Sequence, residues 1–136
     1  MKAEEVIMDA VIEASRKLPL EAVKALEKAR EEENGNGKVV LNAILDNLAL
    51  AEKLEIPLCQ DTGMMWCWAE IGRNVRLDIV KLEKLINSSL SKAFKKGLFR
   101  TSVVSDVMGE RKNTGDNLPA VINYSLTSGS DITLHF

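Results

Sequence analysis

Cysteine is scarce in this chain, with two among 136 residues. Two thiols build no disulfide framework, and the absence of a Cys-x-x-Cys pair argues against a thiol redox module. No apolar run reaches the roughly 18 residues a membrane-spanning helix needs. Met1 leads into a mixture of acidic and basic residues, which is not the start of a signal peptide. Neither sign of charge dominates: 18 Lys and Arg stand against 20 Asp and Glu, a net charge of -2. That balance makes no case for a nucleic-acid surface. It still leaves room for an anionic small molecule held by local cations such as Arg73, Arg76, Arg100, Arg111 and Lys112. There is no internal repeat, no low-complexity tract and no nucleotide-binding glycine pattern. The expected compartment is a reducing cytoplasm, where a cysteine is a core residue, a nucleophile or a metal ligand.

What is present is the composition of a globular domain, 46% hydrophobic and 28% charged, with enough apolar matter for a sizeable core. Helical spacing runs through residues 3–16, then from about Leu20 to Glu33 beyond the Leu18-Pro19 break. Asn34-Gly35-Asn36-Gly37 reads as a breaker. A third helix is expected from about Val39 to Glu55, stopped by Pro57. Met64 to Ile71 is apolar on both alternating faces, which predicts a fully buried strand. A fourth helix is expected from Leu77 to Lys96, with Ile79, Leu82, Leu85, Ile86, Leu90 and Phe94 inward and Gly97 as its cap. Residues 100–117 read as a long polar loop, and Ala120 to Thr127 and the final residues read as strands. Helices first, then strands mixed with one helix, predict an α+β domain: N-terminal helices packed on a small mixed or antiparallel sheet. Residues 131–136 look like a strand with no turn or polar tail after it. The expectation is therefore an incomplete domain, with a natural last strand as the plainer alternative.

The densest chemistry lies in Pro57-Leu58-Cys59-Gln60-Asp61-Thr62-Gly63. A thiol, an amide, a carboxylate and a hydroxyl precede an apolar run, and no packing requirement asks for them together. From the residues alone, Cys59 stays open between ligand or reactive thiol and core cysteine. Gly63 is the residue that would let the backbone approach closely. Asp61 suits a general acid or base, and equally an Asx turn. Cys67, between Trp66 and Trp68, reads as core. Arg100 is either a solvated side chain or a fork for a carboxylate. The Asn113-Thr114-Gly115-Asp116-Asn117-Leu118-Pro119 stretch is a loop by composition, and its backbone is also a candidate anion cradle. His135, the only histidine, is assigned no role.

Taken together, these pieces resemble the class I, iron-sulfur-dependent fumarate hydratases and the α-subunit family they share with tartrate dehydratase. The resemblance runs from about Leu20 to the end of the chain. It is centred on the Cys59-Gln60-Asp61-Thr62-Gly63 segment and continues through Arg100 to the Asn113-to-Ala120 loop. It implies that Cys59 is one of three cysteines holding a [4Fe-4S] cluster, the other two lying beyond residue 136. It implies that Gln60 and Asp61 line the substrate pocket, that Asp61 donates a proton to the leaving hydroxyl, and that Arg100 grips a substrate carboxylate. The implied reaction is reversible hydration of fumarate to malate, a step of the tricarboxylic acid cycle, or dehydration of a close relative such as tartrate.

The base that such a reaction needs belongs, by the resemblance, to a C-terminal domain or β subunit. Residues 1–136 thus read as the N-terminal portion of an α subunit, inactive alone. Its expected partners are a dicarboxylate, the rest of the α subunit, the β partner and further copies of itself, without nucleic acid or membrane. A rival reading is a non-catalytic helical interaction domain that has kept the sequence without the site.

Overall fold

The computed structural model describes residues 2–58 and 63–136. Seven elements occur in the order α1 (Ala3–Arg16), α2 (Leu20–Glu32), α3 (Gly35–Leu54), β1 (Trp66–Gly72), α4 (Ile79–Lys96), β2 (Val121–Thr127) and β3 (Ile132–His135). They fall into two compact units, Ile12–Gln60 and Met1–Val11 with Asp61–Phe136.

In the Ile12–Gln60 unit, Pro19 takes the N-cap position of α2, with its fixed φ of -54° suited to helix entry. α2 lies along α3, and it contains no fully buried residue; Val23, Leu26 and Ala29 are half-buried while Leu20 is exposed. Contrary to the expectation of a breaker with the helix starting near Val39, the Asn34-Gly35-Asn36-Gly37 sequence does not hold the helix off. α3 begins at Gly35, with Asn34 as an extended N-cap and Gly35 at φ +58°. The first-turn amides of a helix have no intrahelical partners, so weak helix formers cost least there. At the other end Glu55 adopts a left-handed φ of 55°, and the Ile56 amide reaches back to the Ala51 carbonyl at 3.1 Å. That is a Schellman-type closure, reinforced by Pro57. The Leu58 amide then donates to the Ser15 carbonyl at 2.8 Å.

In the second unit the sheet order is β2-β1-β3. β1 pairs parallel with β2 and antiparallel with β3, so the sheet is mixed and the domain α+β. β1, α4 and β2 form a parallel crossover, for which a helix is the usual connection. α4 opens on Asp78, whose carboxylate accepts from the Lys81 amide at 3.2 Å, an N-cap. It buries Leu82, Ile86, Ser89, Leu90, Ala93 and Phe94. Ile79, expected to face inward, is exposed because it sits at the first position after the cap. Gly97 follows the helix but is not its left-handed residue; Leu98 is, at φ 59°. Gly97 is needed for another reason. A Cβ there would meet the Phe99 ring at 2.5 Å, and that ring packs on Phe94 with centroids 4.8 Å apart. On the near side, Lys92 pairs with Glu4 at 2.7 Å and Lys96 with Asp9 at 3.5 Å, tying the start of α1 to α4.

β1 is not buried on both faces. Cys67, Ala69 and Ile71 point inward, whereas Trp66 and Trp68 are 48% and 49% exposed. The two indoles stack on each other at 5.7 Å, so each shields part of the other from water. The apolar run reflects two tryptophans on an open face, not a strand covered on both sides.

Candidate functional site: the Asn117 bracket

Beyond α4 the chain makes a small irregular hairpin. Val104 bridges Asn113, the Ser105 amide donates to the Lys112 carbonyl at 2.8 Å, and the Thr114 amide donates to the Val103 carbonyl at 2.9 Å. The tip is turned by Asp106, whose carboxylate accepts from the amides of Met108 and Gly109 at 2.9 and 3.0 Å. This arm carries the backbone back to Asn117, the residue on which the region is built.

Asn117 is completely buried and sits at φ +54°, a conformation asparagine tolerates better than most side chains. Its Oδ1 accepts from the amides of Ser102 at 2.8 Å and Val103 at 3.0 Å. Its Nδ2 donates to the carbonyls of Gly63 at 3.2 Å and Arg100 at 3.1 Å. Both acceptor and both donor capacities of the amide are therefore used. One side chain joins the residue that closes the 59–63 segment, the arginine after α4, and the strand-like start of the hairpin. No reading of the sequence singled out Asn117. The only signal was the crowd of turn formers around it.

The rest of the loop braces that residue. Thr114 Oγ1 accepts from the Asn117 amide at 2.9 Å. Asn113 Oδ1 accepts from the Gly115 amide at 2.7 Å, and its Nδ2 donates to the Thr101 carbonyl at 3.1 Å. Ser91 on α4 donates to Asp116 at 2.9 Å, and Asn87 on α4 accepts from the Ala120 amide at 2.9 Å. The amides of Gly115 and Asn117 are thus spent on internal acceptors. At these two positions the loop works as a clamp, and neither amide is available to an anion.

Of the sequence-predicted site residues, Cys59, Gln60 and Asp61 lie outside the described residues. Arg100 is exposed, with its carbonyl fixed by Asn117. Among the described residues, nothing lies within 4 Å of where a Cβ on Gly63 would stand. Cys67 is fully buried, and loss of hydration pushes its thiol up to about 11. At neutral pH it is a protonated core thiol, as its neighbours predicted, and a poor metal ligand. Among the described residues no group of His, Cys, Asp and Glu side chains could hold a metal ion. His135 Nε2 lies 3.7 Å from Glu70 on the exposed sheet face. A cleft of about 350 Å³ in the Ile12–Gln60 unit, lined in part by Arg16, Arg30 and Glu52, includes none of the residues singled out for chemistry. No helix among the described residues is long and apolar enough to cross a membrane.

Comparison with known proteins matches residues 4–136 to the family described as fumarate hydratase (fumerase). A protein of Methanocaldococcus jannaschii provisionally named L(+)-tartrate dehydratase subunit alpha is 34% identical over 125 residues, 89% of this chain and 44% of its own length. A Geobacillus stearothermophilus protein provisionally named fumarate hydratase class I is 30% identical over 110 residues, 79% of this chain and 21% of its own. The L(+)-tartrate dehydratase subunit alpha of Escherichia coli is 26% identical over 133 residues, 96% of this chain and 44% of its own. The chain therefore spans less than half the length of these relatives.

Proposed function

The chain belongs to the fumarate hydratase (fumerase) family, and from that premise we propose that it supplies the N-terminal part of the α subunit of a cytoplasmic iron-sulfur hydro-lyase. The observation that supports this reading is the Asn117 bracket. A fully satisfied buried amide is an expensive device to hold a surface loop, because every partner must be desolvated and matched. Here it fixes Gly63, at the end of the Cys-Gln-Asp-Thr segment, and Arg100, which are the two regions the proposed chemistry draws on.

The fit of a [4Fe-4S] cluster rests on thiol chemistry. Iron-sulfur clusters require thiolates. The burial of Cys67 argues against it in that role; this reading gives the role to Cys59, with further cysteines coming from elsewhere in the assembly. When bound, a cluster iron open to substrate supplies Lewis acidity toward a hydroxyl and a carboxylate. The remaining roles are this chain's own. Asp61 would hold the proton given to the departing hydroxyl, and Gln60 would hydrogen-bond the diacid. Arg100 would grip a carboxylate by two parallel N–H bonds, a geometry an ammonium lacks. The base that takes the carbon-bound proton would come from a C-terminal domain or β subunit. The substrate is fumarate with malate as its hydrated partner. The tartrate-named α-subunit relatives favour a second reading, a 2,3-dihydroxy diacid.

A chimera tests the assignment. This chain replaces the matched stretch of the E. coli tartrate dehydratase α subunit, and the assembly is reconstituted anaerobically with its β subunit. Cluster absorbance and hydro-lyase activity are expected, and Cys59→Ser should remove both. A Cys59→Ser chimera that keeps a full cluster would overturn the ligand assignment.

A further inference from the structure

We propose that the cleft of the Ile12–Gln60 unit binds a small zwitterion, an α-amino acid with an apolar side chain, by its carboxylate at Arg16 and its ammonium at Glu27 and Glu52. The cleft measures about 350 Å³, at the small end of the range for ligand sites. Helix periodicity builds it. Val23, Glu27 and Arg30 of α2 recur at intervals that share one helix face, and so do Leu45, Leu48 and Glu52 of α3. The two helices lie against each other, and the end of α1 adds Arg16 to the lining. The backbone beside Arg16 is held, because the Ser15 carbonyl accepts from the Leu58 amide at 2.8 Å.

The observation that points to a ligand is the Arg16 guanidinium. Its Nε is buried and has no hydrogen-bond partner, an unmet donor of a kind that folded proteins rarely keep. No ion pair among the described residues joins Arg16 or Arg30 to Glu27 or Glu52. Lys17, the other cation of the lining, is already paired with Glu13 at 3.1 Å. Two guanidinium groups and two carboxylates therefore share one cleft without neutralising each other. A carboxylate that accepts from Nε and one Nη meets the orphan donor side-on. The same ligand needs a cation for the glutamates, since they would repel a plain anion. Half-buried Val23, Leu45 and Leu48 give its side chain an apolar wall. A docked protein side chain brings one charge and leaves the other sign unmatched, whereas a free amino acid brings both. None of these residues takes part in the proposed hydro-lyase chemistry, so the site stands apart from that reading.

Isothermal titration of the purified chain with L-leucine tests the proposal. Isocaproate, which lacks the ammonium, and isoamylamine, which lacks the carboxylate, serve as controls. Saturable binding of leucine is expected, with either control bound about tenfold or more weakly. Arg16→Gln and Glu52→Gln should each weaken leucine binding by about tenfold or more with unchanged far-ultraviolet circular dichroism. Glu52 is exposed, so its variant keeps the test decisive should Arg16→Gln unfold. Trp68→Ser, in the other unit, should bind leucine as the parent does, and the chimeric assembly should bind it with the affinity of the chain. Absence of leucine binding overturns the proposal, as does binding that survives both substitutions or isocaproate bound as tightly as leucine. Binding by the chain that is lost in the assembly also overturns it, because the rest of the subunit then fills the cleft.

Discussion

The Asn117 side chain donates to the Gly63 carbonyl at 3.2 Å across 54 residues of sequence. The same amide nitrogen holds Arg100 at 3.1 Å. Removing the amide strands two N–H groups and two carbonyls. A buried polar group left without a partner costs about 1–3 kcal/mol, and relaxation of an irregular loop recovers part of it. Asn117→Ala is expected to destabilise the fold by about 3 kcal/mol, read as the midpoint of urea denaturation. Exchange at the Ser102 and Val103 amides should accelerate more than the global change requires. Asn117→Asp keeps the volume but turns the donating edge into an acceptor facing two carbonyls, so its penalty should shrink at acidic pH, where a protonated carboxyl can donate.

Cys67 makes stability sensitive to alkali. Burial raises its thiol from about 9 to about 11, so the folded chain keeps a proton that the unfolded chain releases. Above pH 9 the unfolded state binds fewer protons, and stability falls as pH rises until it levels off past about 11. The full effect is on the order of 2–3 kcal/mol. Cys67→Ala should remove this component, together with the part of the upward Tyr124 shift that comes from Cys67; the parts due to burial and Glu83 should remain in both profiles. The native Cys67 thiol should also resist alkylation near pH 8 until the chain unfolds.

The Trp66–Trp68 pair offers an optical readout. Two indoles stacked at 5.7 Å with planes 24° apart should couple as an exciton, giving a paired signal in the far-ultraviolet circular dichroism. Trp66→Phe or Trp68→Phe should each erase the couplet. Both rings are half-exposed, so acrylamide should quench their fluorescence efficiently in the native state; weak quenching would show that this face is covered.

Arg100→Lys in the chimeric assembly is expected to raise the KM for the diacid about tenfold or more, since a point charge replaces a bidentate fork. Cluster content should not change, because the Arg100 contact that Asn117 makes is through the backbone carbonyl. Loss of cluster in this variant would assign Arg100 to support of the fold.

Much of the architecture was legible because it follows from local rules. The spacing of Leu82, Ile86, Leu90 and Phe94 gives α4, and Pro19 and Pro57 punctuate the helices where φ and the missing donor demand it. Burial was harder to read. Trp66 and Trp68 look like core in one dimension, and only the pairing of three strands shows that their face lies open. Asn34 to Gly37 reads as a break because propensity is summed without regard to position, yet the first turn of α3 absorbs it. Arg100 and the loop after it could be picked out as chemistry-bearing types. The hub that orders them could not, since a buried asparagine at positive φ is defined by partners 14 to 54 residues away, and no local pattern encodes such partners.

The most direct test of the central claim is anaerobic reconstitution of this chain alone with iron and sulfide, followed by Mössbauer spectroscopy and a hydratase assay with fumarate. Under the proposal that this chain contributes one cluster ligand, Cys59, no stable cubane cluster and no turnover are expected. A stable [4Fe-4S] cluster accompanied by malate formation would contradict the account.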